Sequence, residues 1–315
     1  MHIPDGLLAP TVALSTGLIG AAGLGLALRK VEKSGREPST LGMMAAFVFA
    51  AQMVNFPVGP GVSGHLMGGT LAAVVLGPWG GAVVIAVVLL VQALIFGDGG
   101  LTALGANFSN MGLIGSVGGY AVYATIRRRL GGRRGVLLGA MVAAWVSTTV
   151  AAGAFAVELA ASGRWGDFGH ILAWMALVHA AIGVGEAVLT GLVLRFALLA
   201  RPDLVEDPAA VGPIGRRGQQ AAAGLGIALA VAVFLGPLAS GHPDGLEFVG
   251  AKLGFLPADR PARAPIADHK LPALTRWAPA ATALGGAIGT LLVFAVGVGL
   301  SRALAPGNAA GRRAA

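Results

Sequence analysis

The sequence predicts an α-helical protein that crosses a membrane several times. Of its 315 residues, 56% are hydrophobic and only 11% are charged, whereas an average soluble domain has about 25% charged residues. The apolar residues form continuous Ala/Val/Leu/Gly runs, not the alternating strands of about ten residues that build a membrane β-barrel. The 51 glycines suit close contact between membrane helices. We therefore expect an all-α polytopic membrane protein.

Eight apolar runs define the predicted helices. They lie at about 7–28, 41–57, 64–96, 104–126, 135–161, 168–200, 219–240 and 279–304. A helix needs roughly 20 residues to cross the hydrocarbon core, so the third run is too long for one span. Because Gly77-Pro78-Trp79 interrupts it, this run predicts either two short spans or a re-entrant hairpin. Counted as two spans, it gives about nine transmembrane helices.

The distribution of basic residues predicts the orientation, because short cytoplasmic loops collect Lys and Arg. Two loops are rich in them: Arg29, Lys30, Lys33 and Arg36 follow the first run, and Arg127, Arg128, Arg129, Arg133 and Arg134 follow the fourth. The loop 97–100 has no basic residue and is expected outside. The amino terminus is then outside and the carboxyl terminus cytoplasmic.

A proline-rich stretch divides the chain. Pro202, Pro208 and Pro213 indicate a cytoplasmic linker at 201–218. It separates a seven-helix unit, 1–200, from a two-helix unit, 219–315, whose helices are joined by an outer loop at 241–278. The sequence leaves the role of that loop open.

Several kinds of chemistry are excluded. The chain has no cysteine, and therefore no disulfide, thiolate metal site or cysteine nucleophile. It contains neither a phosphate-binding Gly-x-x-x-x-Gly-Lys-Ser/Thr loop nor a His-Glu-x-x-His motif. We expect no enzyme and no resident cofactor, and the net charge of +8 is not taken to indicate a nucleic-acid partner. The first residues lack the basic region of a signal peptide, so the natural amino terminus is expected to be retained.

The second residue carries the most specific signal. With His2 in this position, the α-amine of Met1, the backbone nitrogen of His2 and its Nδ1 can close two fused chelate rings around one metal ion. Planar nitrogen ligation of this kind favours Ni(II) or Cu(II) over Zn(II) or Mg(II). The alternative is a solvated terminal histidine.

His65 is the candidate fourth ligand, because the predicted topology places it outside, level with the amino terminus. Intramembrane or interfacial ionisable residues are functional hypotheses by default, although His65 could instead be hydrogen-bonded within helix packing. His179 and Glu186 share one helix face, and Asn107 begins the helix after the glycine loop. His179 and Glu186 could orient the metal ligands, relay protons or form structural bonds between helices. Asn107 could satisfy backbone groups near a break in the helix or orient the ligands.

Small residues recur at four-residue spacing, at Gly17, Ala21 and Gly25 and at Gly42, Ala46 and Ala50. Such spacing permits close helix contact. The contact could be within the chain or with a partner.

The sequence resembles the CbiM/NikM family, the nickel/cobalt substrate-specific components of energy-coupling factor transporters. The resemblance runs in order through the amino-terminal Met1-His2-Ile3-Pro4-Asp5-Gly6, Asn55 to Val58, Gly64-His65-Leu66, Gly77-Pro78-Trp79, Gly97 to Asn107 and Val178 to Glu186. It implies that Met1, His2 and the imidazole of His65 bind the metal. It also implies a transmembrane coupling subunit and ATP-binding subunits as partners in the cytoplasmic membrane. Gly42, Ala46 and Ala50 would then be a contact with the coupling subunit.

The last third, with His242-Pro243-Asp244-Gly245-Leu246-Glu247, resembles the PDGLE-type NikN partner, fused here to the first unit. It lacks the ending typical of the cobalt partner CbiN, which favours Ni(II) over Co(II) as the imported ion. A membrane metal sensor that does not transport, and a stand-alone secondary carrier, remain alternatives.

Overall fold

The fold is described from a computed structural model, which covers residues 2–34, 38–200, 217–256, 264–274 and 276–304. Met1 and most of the predicted linker 201–218 lie outside these residues. The described part is mainly helical. Its α-helices are α1 Pro10–Ser34, α2 Pro38–Gln52, α3 Gly69–Val91, α4 Leu104–Asn107, α5 Gly119–Leu130, α6 Gly132–Leu159, α7 Phe168–Ala200, α8 Arg217–Ala230, α9 Gly245–Leu253 and α10 Ala278–Ala303.

Wider π-helical turns prolong several of these helices. Gln92–Phe96 extends α3, Ala160–Arg164 extends α6, Val231–Leu235 extends α8, and Phe108–Gly118 joins α4 to α5. Five helical stretches of the described residues are long and apolar enough to cross a membrane. They are Pro10–Ser34, Gly69–Phe96, Gly132–Leu199, which contains both α6 and α7, Ala221–Leu238 and Ala278–Ala303.

A small β-hairpin begins at the end of the second apolar run. Strands β1 (Phe56–Gly59) and β2 (Val62–Gly64) are antiparallel, with Phe56 opposite Gly64. The prediction of helix up to residue 57 was therefore wrong. Helix α2 already ends at Gln52. Proline cannot donate a backbone hydrogen bond, and it disfavours helical geometry in the residue before it, so Phe56 and Pro57 do not continue the helix. The helix α3 begins only at Gly69, which leaves His65 in a loop.

Helix α3 is a hairpin with two arms, 69–76 and 78–91. Gly77 has φ 74° and ψ 165°, a conformation open mainly to glycine. The two ends of the segment meet at Gln52, whose Nε2 donates to the Met67 carbonyl (2.8 Å) and whose Oε1 accepts from Gln92 Nε2 (2.8 Å). A straight helix would separate Met67 from Gln92 by about 37 Å. The first arm therefore begins, and the second arm ends, on the same side of the protein, in agreement with the predicted break.

The second unit packs directly on the first through α2. A Cβ built on Gly42 would lie 2.5 Å from Val298 Cγ2 and 2.8 Å from the Phe294 carbonyl oxygen of α10. Ala46 and Ala50 are fully buried. These three small residues form an internal packing face, so the prediction that they contact a coupling subunit was wrong. Four-residue spacing indicates close contact but cannot identify the partner helix.

Substituting Gly42 by Ala is expected to lower the thermal unfolding temperature of the detergent-purified chain. The added methyl group must displace the α10 backbone, and overpacking of this kind costs about 1–3 kcal/mol. Gly25→Ala is the matched control, because no described atom lies within 4 Å of a Cβ at Gly25. At that position alanine lowers the conformational entropy of the unfolded chain, so the unfolding temperature of Gly25→Ala should equal or exceed that of the wild type. Equal melting temperatures for Gly42→Ala and the wild type would contradict this packing.

Candidate metal centre at the amino terminus

The amino-terminal segment is folded into the protein by backbone hydrogen bonds. Ile3, which is fully buried, donates its N–H to Asn107 Oδ1 (2.8 Å), and its carbonyl accepts from Asn107 Nδ2 (3.0 Å) and from the Gly100 N–H (2.8 Å). Farther along, Asp5 Oδ1 accepts from the Thr102 N–H (2.7 Å). A Cβ at Gly100 would overlap Asp5, so glycine permits the approach. The segment is anchored on both sides of Pro4.

The imidazole of His2 lies between Asp98 and His65. Its Nδ1 is 3.1 Å from Asp98 Oδ1, and its ring stacks on that of His65 with 5.2 Å between centroids and 18° between planes. The prediction that the amino terminus and His65 lie at one level thus agrees with the structure. Asp98 was not named as a site residue from the sequence, where loop 97–100 was noted for lacking basic residues and as part of the family resemblance. A carboxylate in a glycine-rich loop between two apolar runs was the available signal.

His65 presents one ring nitrogen to a cavity. Its Nδ1 is 3.0 Å from the Leu66 carbonyl oxygen, a geometry in which Nδ1 donates and Nε2 keeps its lone pair. Burial is the main reason that the pKa of His65 lies below its ordinary value, while Asp244 acts in the opposite direction. The ring is therefore a neutral nitrogen ligand near pH 7.

A cavity of about 20 Å³ adjoins His65 and is also lined by His179, Asp244, Met67 and Thr148. By volume it can hold about one water molecule or ion. The Nδ1 of His179 bonds to the Met175 carbonyl (2.9 Å). Its Nε2 is buried and has no hydrogen-bond partner within the described part of the chain. The structure therefore brings His179 beside His65.

Glu186, by contrast, supports the loop that carries His65. Its two carboxylate oxygens accept from the Met67 N–H and the Gly68 N–H, the latter at 2.9 Å, and the residue is fully buried. Gly68 has φ 77°, which keeps this turn tight. Of the three interpretations of Glu186, the structural bond between separate chain segments is the one that the geometry supports.

The second unit contributes a carboxylate to the same place. Ser63 of β2 donates its N–H to the Pro243 carbonyl (2.9 Å) and its Oγ–H to the His242 carbonyl (2.7 Å). Asp244 then caps α9, forming a reciprocal pair of hydrogen bonds with Glu247. The other Asp244 oxygen lies 3.8 Å from His65 Nε2. Asp244 was quoted from the sequence only as part of the family resemblance and not as a site residue, and the helix α9, inside the predicted outer loop, was not predicted.

Side chains alone do not complete a metal site here. Among the residues that the structure describes, no three His, Asp or Glu side chains are placed to hold a metal ion together. Complete coordination therefore requires further donors, such as backbone nitrogen, water or the amine of Met1, which lies outside the described residues.

Substituting Asn107 by Ala should weaken metal binding about 10- to 100-fold, the usual cost of losing a group that orients a ligand. Without its two bonds to Ile3, the segment that carries His2 is held mainly by the bonds from the N–H groups of Gly100 and Thr102. Isothermal titration with Ni(II) measures the effect. Asn110→Ala is the control, because Asn110 bonds to Glu158; equal affinities of the two variants would contradict the anchoring role of Asn107.

Comparison with known proteins agrees with this architecture. The family model for the cobalt uptake substrate-specific transmembrane region, CbiM, matches residues 2–204, and the PDGLE domain matches residues 218–306. A putative fused nickel transport protein NikMN of Archaeoglobus fulgidus is 36% identical over 96% of this chain and 98% of its own length. The fused nickel transport protein NikMN of Rhodobacter capsulatus is 32% identical over the same shares of the two chains.

A solved structure is also similar. A crystal structure of a truncated transition metal transporter has a TM-score of 0.57 and 33% identity, covering 64% of this chain and 99% of that one. The matched family models together span both units of the described fold. This multi-pass membrane protein thus belongs to the CbiM family of substrate-specific transmembrane regions, with a PDGLE domain fused behind it in the NikMN manner.

Proposed function

We propose that this chain is the substrate-binding membrane component of an energy-coupling factor transporter that imports Ni(II) across the cytoplasmic membrane. Two fused relatives of nearly full coverage are named nickel transport proteins. The observation that carries the proposal is the stacking of His2 on His65, with the amino-terminal segment bonded into the protein by Asn107.

In the proposed site, the ion is bound by the Met1 amine, the backbone nitrogen and Nδ1 of His2, and Nε2 of His65. Four nitrogens in a plane suit Ni(II). Asp98 accepts the hydrogen bond of His2 Nδ1 before the ion binds there. His179 and Asn107 orient these groups, and Glu186 supports the loop that carries His65, without any of them binding the ion directly.

The proposed topology keeps the nine membrane helices predicted from the sequence, with the two arms of the hairpin α3 counted separately. Because the arm 69–76 is only about 12 Å long, this hairpin enters and leaves the membrane on one side without spanning it. The amino terminus and loop 97–100 lie outside and the carboxyl terminus lies inside. The ion then reaches the site from outside and leaves to the cytoplasm when a transmembrane coupling subunit moves the chain. ATP-binding subunits supply the energy, since the sequence has no phosphate-binding loop of its own.

Co(II) is the second candidate ion. A relative from Sorangium cellulosum, 34% identical over 65% of this chain, is named a cobalt transport protein CbiM. The match to that relative covers 65% of this chain, whereas the matches to the two NikMN relatives cover 96% of it.

Uptake into proteoliposomes tests the proposal. Radioactive Ni(II) and Co(II) are supplied outside, with ATP inside, to vesicles that hold this chain with or without its coupling and ATP-binding subunits. We expect Ni(II) uptake only with all subunits and ATP. Uptake by this chain alone would indicate a secondary carrier, binding without uptake in the complete assembly would indicate a sensor, and faster Co(II) uptake would reassign the ion.

A further inference from the structure

His269, in the outer loop of the second unit, is held in an unusual conformation. It is the non-glycine residue with positive φ (58°) in the described chain, a region that such residues occupy rarely and mostly where surrounding structure enforces it. Its ring stacks on Phe96 (4.4 Å, 20°) and meets the edge of Phe49 (5.6 Å). A Cβ at Gly285 would overlap its carbonyl group. Contacts on several sides therefore fix where this imidazole points.

The imidazole points at Asp98. Its Nε2 lies 3.9 Å from Asp98 Oδ2, while Asp98 Oδ1 lies 3.1 Å from His2 Nδ1. The other nitrogen of His269, Nδ1, is buried without a hydrogen-bond partner in the described residues, and the same is true of His2 Nε2. The side chain of His2 is only 5% exposed. One carboxylate thus stands between two imidazoles, one from each unit.

This group lies at an open cleft between the two units. The cleft is lined by His2, Asp98, Glu247, His269 and Lys270, among others. The Asp98 side chain is 36% exposed, whereas the cavity beside His65 is small and enclosed by buried residues. An ion that enters from the cleft therefore meets Asp98 before it meets His65.

We propose that Asp98 and His269 form a transit site that captures a divalent transition-metal ion and passes it to Nδ1 of His2. The inference rests on the proposed function and adds an entry step to it. A carboxylate with an imidazole suits hydrated Ni(II) or Co(II). The 3.9 Å between the two donor atoms is less than the sum of two metal–ligand bonds, about 4.2 Å, so one ion can bridge them.

The small number of ligands fits a transit role. Two side chains leave most of the coordination to water, so the ion is held weakly and can leave. When His2 Nδ1 takes the ion, it exchanges its contact with Asp98 for a metal bond, and any proton on Nδ1 is released to solvent in the open cleft. The loop of the second unit thereby acts on loading through His269, without contributing a ligand to the final site.

Binding kinetics of the full chain test the proposal. His269→Asn removes the imidazole but keeps a residue that tolerates positive φ, and His170→Asn, at an exposed position in α7, is the matched control. Stopped-flow quenching of tryptophan fluorescence by Ni(II) gives the association rate constant, and titration calorimetry gives the Kd. A transit site speeds entry and exit alike. We expect His269→Asn to slow both about tenfold, the lower end of what loss of a metal-orienting group costs, with an unchanged Kd and a control like the wild type.

The outcomes separate the two proposals. If His269→Asn has the same association rate constant and the same Kd as the wild type, the transit site is overturned and the proposed function stands. A weaker Kd that arises only from faster dissociation also overturns it, since His269 would then stabilise the final site. A wild-type chain that binds neither Ni(II) nor Co(II) defeats the proposed function and the transit site with it. An unchanged Kd also shows that the variant is folded.

Discussion

Two residues, Gly-Ser, added before Met1 should raise the Kd for Ni(II) by well over the ~100-fold that loss of a ligand's supporting group costs. The extension converts the α-amine into an amide, which removes one of the three nitrogens of the proposed chelate while every side chain remains. Asn107 still bonds to Ile3 in the extended chain, so the segment after the added residues keeps its place. Titration calorimetry with Ni(II) and Co(II) measures the loss.

The same two residues added after Ala315 serve as the control for this extension and should bind like the wild type. Acetylation of the Met1 amine provides a smaller change with the same chemical consequence, and it should reproduce the loss. Tight binding by the extended chain would remove Met1 from the site. The ion would then have to be bound by His65, His179 and the carboxylates near them.

Substituting His65 by Asn should weaken Ni(II) binding to a similar extent, by more than about 100-fold. The imidazole supplies the proposed fourth nitrogen, and its lone pair on Nε2 is directed by the Nδ1 contact with the Leu66 carbonyl. Asparagine is shorter and offers an amide, a poor ligand for Ni(II). The stacking contact with His2 is lost as well.

His170→Asn is the control for the His65 substitution, because it removes an exposed imidazole from the start of α7. His179→Gln gives the informative comparison. If His179 only orients neighbouring groups, His179→Gln should weaken Ni(II) binding less than His65→Asn does. If His179→Gln weakens Ni(II) binding more than His65→Asn does, His179 is the ligand and His65 the orienting residue.

Much of the architecture could be predicted because it depends on composition and local chemistry. The apolar runs anticipated most of the helices, since burial of backbone polar groups in a bilayer requires them. Gly77 and Pro78 predicted the break in α3 because few residues other than glycine adopt its φ. The second run was misjudged because hydropathy does not distinguish an apolar strand from an apolar helix, and Pro57 was given too little weight.

The candidate site was predictable only in part. His2 and His65 could be named because chelation by an amino-terminal Met-His pair is a property of adjacent atoms. Asp98, Asp244 and His269 could not be found in this way, since they come from three loops far apart in the sequence. Their proximity depends on the packing of α10 and α8 against α2, and on the bonds of Ser63 to residues 242 and 243.

The sequence by itself determined the membrane class, the interrupted third run and the chemistry available at the amino terminus, because each depends on residues that are neighbours in the chain. Tertiary structure alone decided which surface the small residues of α2 cover, that Glu186 supports the His65 loop, and that the second unit places Asp244 and His269 beside the histidines of the first. Those outcomes depend on how distant segments satisfy one another's buried polar and apolar groups, and no local pattern encodes that pairing.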